Sequence, residues 1–461
     1  MRTLLNILAL FFGVQLLQAQ IFDVTPIHLS GAQSNRINIV VLGDGYLDSE
    51  MSQFITDAES FRDGLFTETP YKEYQDFFNI YAIEVPSNES GTSHPGTATD
   101  VTEPAHPVSV VDNYFETTFD YFNIHRLLYT NDASHVYAVL ADNFPNYDVV
   151  VVIVNTPYYG GSGGGIVFFS THANAQRIAI HELGHTFGDL RDEYYAGDFY
   201  AKESANMTQE TDPATVRWKN WHGDNGIGIY RHSGSGNAAS WYRPHQSCMM
   251  RNLNNSFCSV CTEATVEKIH DQVSFIDAYL PLSSSQTSDR DPFDFDLTLL
   301  EPQNSQLDIK WILNGSELNG EKSESLVLDK NLLIDGNNTL QAVVEDQTDF
   351  LRVDNHDQVH LSTVSWTINH STLSIIDTQE NRFKVVISPN PAQDIVQISL
   401  SDLFNSKFDL TVYDVSGKVI YQSEFNESTI EFSTSEWSSG QYILKFTLDS
   451  GEVITQKLLK N

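Results

Sequence analysis

Two periodicities alternate along the first 190 residues. Arg36–Leu42 (RINIVVL) is a short apolar run ended by Gly43-Asp44-Gly45, which predicts a buried strand. Over Asp48–Leu65, Met51, Phe54, Ala58, Phe61 and Leu65 share one helical face. Phe77–Val85 predicts a second strand, and Ser134–Leu140 fits helix or strand. Tyr147–Val154 (YDVVVVIV) is apolar on both faces, which places it centrally in a sheet. Tyr158–Gly165 holds five glycines. A short strand, Ile166–Ser170, and a helix over His172–Phe187 come next. Another helix is expected over Cys261–Tyr279, where Val266, Ile269, Val273 and Ile276 recur at helical spacing. His106–Phe122 has no clean pattern, and Asp189–Gln246 reads as mostly irregular.

After Pro281 the pattern changes. A polar linker, 283–291, precedes short alternating runs such as Leu307–Leu313, Thr339–Glu345 and Ser362–Ile368, separated by turns such as Asn314-Gly315. They predict a small β-sandwich over 292–372. A third unit, 383–461, also reads as all-β, with runs at Val385–Ser388, Val396–Leu400, Phe408–Tyr413, Lys418–Ser423, Gln441–Thr447 and Val453–Leu459. The 461 residues exceed what one hydrophobic core serves, which agrees with several domains.

Charge and termini narrow the class. The formal charge of −35 excludes a phosphate-binding face, hence nucleic acid as a partner, and suits a solvated extracellular protein. Residues 1–19 have the layout of a secretory signal: Met1-Arg2, a mostly apolar Leu4–Leu17, and Ala19 before a cut. Nothing else approaches the roughly 18 apolar residues of a membrane span, so the mature region, 20–282 and beyond, is expected to be exported without one. The three cysteines, Cys248, Cys258 and Cys261, are expected to form one local disulfide with one thiol left over; Cys258-x-x-Cys261 is alternatively half a zinc site.

The chemistry concentrates at His181-Glu182-Leu183-Gly184-His185. Two histidines four apart share one helical face and can hold one metal ion. Glu182 beside them can take the proton of a water activated by zinc. A third ligand is needed. Asp192 lies seven residues past His185, roughly 10 Å along an unbroken helix. A turn at Gly188, with positive φ, would fold the chain back and bring it in. Glu193, Glu263 and Glu267 compete for that place. Gly164, Gly165 and Ile166 are candidate substrate-binding residues, because a strand just before the helix can pair with an extended peptide. Met250, in Cys248-Met249-Met250, is a candidate Met-turn beneath the metal. Tyr194, Tyr195 or Tyr242 could stabilise an oxyanion. His125, His135, His222, His232 and His245 lack ligand spacing and read as surface or outer-sphere residues. Asp44, Tyr46 and Glu84 sit at strand ends as site or scaffold.

At these residues the chain resembles the IgA-peptidase M64 metallopeptidases, a metzincin-like family. The matching pieces are Leu42-Gly43-Asp44-Gly45-Tyr46, His181–His185 with Asp192-Glu193-Tyr194, Arg217-Trp218-Lys219, Cys248-x-Met250 and Phe257-Cys258-x-Val260-Cys261. The resemblance implies a zinc-dependent endopeptidase acting on protein or peptide. The expected architecture is an α/β zincin-like catalytic domain, a mixed sheet with an active-site helix, followed by two all-β sandwich-like domains. Ser388-Pro389-Asn390-Pro391-Ala392, Val412–Lys418, Ser439-Gly440-Gln441-Tyr442, Lys457 and Lys460 resemble the type A sorting domain of the type IX secretion system of Bacteroidetes. That resemblance implies handling by the type IX machinery and a secreted or cell-surface location. The contrasting reading is a non-catalytic surface binding protein with a vestigial or structural metal site.

Overall fold

A computed structural model describes residues 21–289, 293–303, 306–371, 385–400, 407–449 and 453–461. The expected signal segment, 1–19, lies outside them. The chain divides into two compact units, one of Met1–Ser284, Asp294–Leu326 and Thr339–Trp366, the other of Ser285–Phe293, Val327–Asn338 and Thr367–Asn461. The described chain is mostly β-sheet with few helices.

The first unit is built around a six-stranded mixed sheet. Its strands are β1 (Val24–His28), β2 (Ile37–Asp44), β3 (Phe78–Ile83), β4 (Val149–Val154), β5 (Gly161–Ser162) and β6 (Val167–Ser170), in the order β1-β3-β2-β4-β6-β5. The β2, β3, β4 and β6 pairings are parallel, and β1 and β5 close the edges antiparallel. Every residue of β2, β3, β4 and β6 is buried, which is why these strands are continuous apolar runs rather than alternating ones. One face packs Val40, Leu42, Val150, Val152, Val154 and Phe168 against Val136, Val139 and Leu140 of helix α2 (Ala133–Asn143). The other carries α1 (Met51–Leu65) and α3 (Ala175–Thr186), with Phe61 of α1 against Phe169 of β6, ring centroids 5.6 Å apart.

One expectation is corrected. The helix predicted over Cys261–Tyr279 is α4 (Ser259–Gln272), and Ile276–Leu280 is a strand. Val273 already has extended backbone, φ −123°, and Ser274 exchanges hydrogen bonds with Asn35. The chain therefore leaves the helix at Val273, and the β-branched Ile276 opens a strand rather than a further helical turn. The irregular reading of Asp189–Gln246 stands apart from two-residue strands at Tyr230–Arg231 and Tyr242–Arg243.

Asp44, at the end of β2, belongs to the scaffold. It is fully buried, and its carboxylate accepts from Phe115 N (2.9 Å), Thr117 Oγ1 (2.5 Å) and Ser87 Oγ (3.3 Å). Burial raises its pKa, and these donors oppose the rise. Tyr46 likewise donates to Asp57 at 2.8 Å.

In the second unit, strands at Val385–Ser388, Ile395–Leu400 and Thr429–Ser433 form a three-stranded sheet. Those at Phe408–Asp414, Val419–Phe425, Gly440–Leu448 and Val453–Lys460 form a four-stranded one. Val396, Ile398, Leu410, Val412, Leu444 and Phe446 alternate inward to make their common core.

Replacing Asp44 by Ala strands several buried donors, so Asp44→Ala should destabilise the fold by about 3 kcal/mol, read as a lowered urea midpoint. An unchanged midpoint would remove Asp44 from the scaffold.

Candidate active site

Helix α3 starts directly after β6 and carries His181, Glu182 and His185. His181 is buried, and Glu182 and His185 are half-buried. Each histidine has one nitrogen taken by a backbone carbonyl. His181 Nδ1 lies 3.2 Å from Met249 O, and His185 Nδ1 lies 2.8 Å from Leu190 O. A carbonyl only accepts, so each Nδ1 carries a proton, and a ring in its neutral form presents its Nε2 lone pair. Both Nε2 atoms face the same oxygen, Asp192 Oδ1, at 3.1 and 3.2 Å. That oxygen is buried.

Two lone pairs aimed at a carboxylate oxygen repel unless positive charge lies among them. The His185 ring answers this by taking a proton more readily. Burial alone would lower His185, but the hydrogen bond and charge of Asp192 outweigh it and push the imidazole up to about 9. Burial would raise Asp192, but the two histidines hold it below the ordinary carboxylate range. The donor set, two imidazoles and a carboxylate with their outer nitrogens fixed by carbonyls, fits a divalent cation such as zinc.

The chain returns to α3 by a different device from the one expected. Gly188 does not have positive φ; Asp189 does, at 49°. Leu190 N then donates to Gly184 O at 2.9 Å. Gly188 is needed for space, since a Cβ there would stand 2.9 Å from that same carbonyl oxygen. The competitors for the third position point elsewhere. Glu193 is fully buried, with Oε1 3.2 Å from Asn206 Nδ2 and 3.4 Å from Cys261 Sγ. Glu263 accepts from Arg352 N. Burial beside Glu263 pushes Glu267 up to about 7.

Around Glu182 the glycine loop closes in. A Cβ on Gly163 would stand 2.8 Å from Glu182 Oε2, and Gly164 N donates to Thr186 Oγ1 at 3.2 Å. Gly164 and Gly165 are exposed with φ of 113° and 139°, whereas the Ile166 side chain is buried in the core. The outer edge of β6 pairs with β5 at Phe168 and Phe169, so the open backbone of the rim is the glycine loop rather than the strand. Burial raises the Glu182 carboxyl above its ordinary value, and His181 and His185 oppose this. Met250 sits beneath α3, where a Cβ on Gly184 would meet its Sδ at 2.7 Å. Tyr194 stacks beside His181, centroids 6.5 Å apart, and accepts from Arg126 Nη2 at 3.2 Å. Tyr195 is exposed.

Arg126 had no sequence signal, because it lies between Phe122 and Ser134, where neither period nor motif marks it. The neighbouring loops hold a second cluster. His94 Nε2 lies 3.2 Å from Glu103 Oε2 and 3.4 Å from Asp120 Oδ2, and His125 Nδ1 lies 3.1 Å from Glu103 Oε1. His125 is thus a clustered residue rather than a scattered surface one. The expected disulfide is absent: Cys248, Cys258 and Cys261 are all free and buried.

Comparison with known families agrees with this architecture. Residues 25–226 match the IgA Peptidase M64 family, and residues 386–461 match the secretion system C-terminal sorting domain. The chain therefore carries an M64 peptidase region and a type IX sorting domain, and it is a secreted or cell-surface protein. No curated protein matches it. Among solved structures it is similar to an immunoglobulin-like β-sandwich protein of Bacteroides vulgatus (14% identity, 17% of this chain and 83% of that one, TM-score 0.15). It is also similar to PorZ of Porphyromonas gingivalis, a surface component of its type IX secretion system (19%, 17% and 11%, 0.15). A third is dimeric latent PorU of the same organism (13%, 39% and 19%, 0.19). The chain thus spans about a tenth of PorZ and a fifth of PorU, likenesses too slight to carry an argument. Among the described residues no helix is long and apolar enough to cross a membrane.

The contact under α3 reverses a common expectation. Gly→Ala inside a helix ordinarily stabilises by about 1 kcal/mol. Here Gly184→Ala should destabilise by about 1–3 kcal/mol, because Met250 and Phe257 are buried against it. A raised thermal midpoint would contradict this packing.

Proposed function

We propose that the chain is a secreted zinc-dependent endopeptidase with a zincin-like catalytic region over 20–282. His181, His185 and Asp192 would hold the ion, and Glu182 would be the general base. The observation supporting this is the convergence of two Nε2 lone pairs on Asp192 Oδ1 with Glu182 alongside. Zinc, when bound there, would acidify a water and polarise the scissile carbonyl.

Glu182 accepts the proton of the attacking water at a carboxylate oxygen and holds it. Its raised pKa suits that task. It then delivers the proton to the leaving amine nitrogen as the C–N bond breaks; the water oxygen ends on the acyl carbon, and its second proton leaves when the new carboxylic acid ionises. Tyr194 receives its hydrogen bond from Arg126, which leaves its own O–H to donate to the developing oxyanion. The backbone of Gly164, Gly165 and Ile166 would pair with an extended peptide, the Ile166 side chain serving as core. The β-sandwich over 292–372 would act as a spacer, and 383–461 would engage the export machinery and take no part in the chemistry.

Casein or a peptide library should be cleaved by the zinc-loaded wild type, and Glu182→Ala should lose at least about 100-fold in rate while keeping its metal. Equal cleavage by the two would end the hydrolase reading in favour of a non-catalytic binding protein. Asp192→Ala should weaken zinc affinity by more than the roughly 10–100-fold that loss of an outer-sphere partner costs. Full affinity in that variant, read by metal titration, would reject Asp192 as a ligand.

A further inference from the structure

Glu193 and the three cysteines of this chain meet at one buried point. Cys261 Sγ lies 3.6 Å from Cys248 Sγ, 3.7 Å from Cys258 Sγ and 3.4 Å from Glu193 Oε1. The four ligand atoms all fall within 4.8 Å of one another, and all four residues are buried. We propose that Cys248, Cys258, Cys261 and Glu193 form a second, structural metal site that takes one zinc ion.

The distances suit that ion. Zinc bonds thiolate sulfur at about 2.3 Å and carboxylate oxygen at about 2.0–2.2 Å, so a tetrahedron has S···S edges of about 3.8 Å and S···O edges of about 3.5–3.7 Å. The observed separations come within a few tenths of an ångström of each. The ligand set is complete, with no protein position left open, which is the character of a structural rather than a catalytic site.

A second observation points to a missing partner. Glu193 has no exposure at all, and its Oε2 makes no hydrogen bond. A buried carboxylate without compensation is costly. The surroundings favour negative charge as well. Cys258 is the N-cap of α4, a helix of 14 residues, and its own N–H points at Cys248 Sγ at 3.3 Å. The positive end of that helix therefore faces the sulfurs.

The site ties together the segments that build the active site. Glu193 follows Asp192 directly, and Glu193 N donates to Met250 O at 2.7 Å. Cys248 precedes Met249, whose carbonyl receives His181 Nδ1, and Met250, which underlies Gly184. A metal here would hold the Asp192 loop and the Met250 turn at a fixed separation. The proposal is independent of the peptidase reading, since it rests on none of the groups that would hold the active-site ion.

The test uses the full chain. A His181→Ala/His185→Ala double variant should retain about one zinc per chain by elemental analysis. After exchange with cobalt it should show the near-ultraviolet thiolate-to-cobalt charge-transfer band. Cys258→Ser/Cys261→Ser should lose that metal and that band. Because this variant could fail to fold, the wild type supplies an independent measurement. Denatured in chelator without reductant, it should titrate three thiols per chain, whereas a disulfide would leave one. A histidine variant without stoichiometric metal, or a wild type with one thiol, would overturn the proposal, whatever casein cleavage shows.

Discussion

Two backbone carbonyls, Met249 O and Leu190 O, set the character of the site. By occupying the Nδ1 protons of His181 and His185 they leave both Nε2 atoms as acceptors, pointed at a carboxylate oxygen that also only accepts. Two imidazole nitrogens 3.1 and 3.2 Å from one carboxylate oxygen are tolerable only with positive charge among them, from a proton or a metal ion. The rest of the unit serves this arrangement. The four central strands are buried on both faces so that α3 rests on a rigid sheet, and Gly184 lets Met250 come close enough to hold the turn that presents Met249 O.

The second half of that arrangement depends on chain reversal. A helix continued past Thr186 would carry Asp192 away from the histidines. The left-handed residue at Asp189, followed by the Leu190 N to Gly184 O bond, turns the chain within three residues. The acidic neighbour, Glu193, faces the opposite way and enters the cysteine cluster. One dipeptide thus serves two clusters. This couples the geometry of the proposed catalytic ligand to that of the thiols behind it.

The secretion-related domain is a sandwich whose core comes from its own alternating strands, and its motif residues lie far along the chain from α3. The large negative charge agrees with a secreted or cell-surface protein rather than one that binds polyanions.

The helix and its three chemical groups were legible in the sequence, because HExxH spacing and helical geometry are local properties. So were the central strands and the alternating runs of the C-terminal domain, whose periods reflect burial of one face or two. Local pattern misled where tertiary packing chose. The helix ended at Val273 and Ile276 went to sheet once Ser274 met Asn35, and Gly188 served close approach while Asp189 took the strained turn. The gathering of His94, Glu103, Asp120 and His125, the place of Arg126 beside Tyr194, and the meeting of Glu193 with the cysteines had no period to announce them. Sequence by itself determined which residues could carry metal chemistry. Only the tertiary structure decided which of them share a point in space, because loop closure brings together residues as far apart as 193 and 261, and no short-range periodicity records such a meeting.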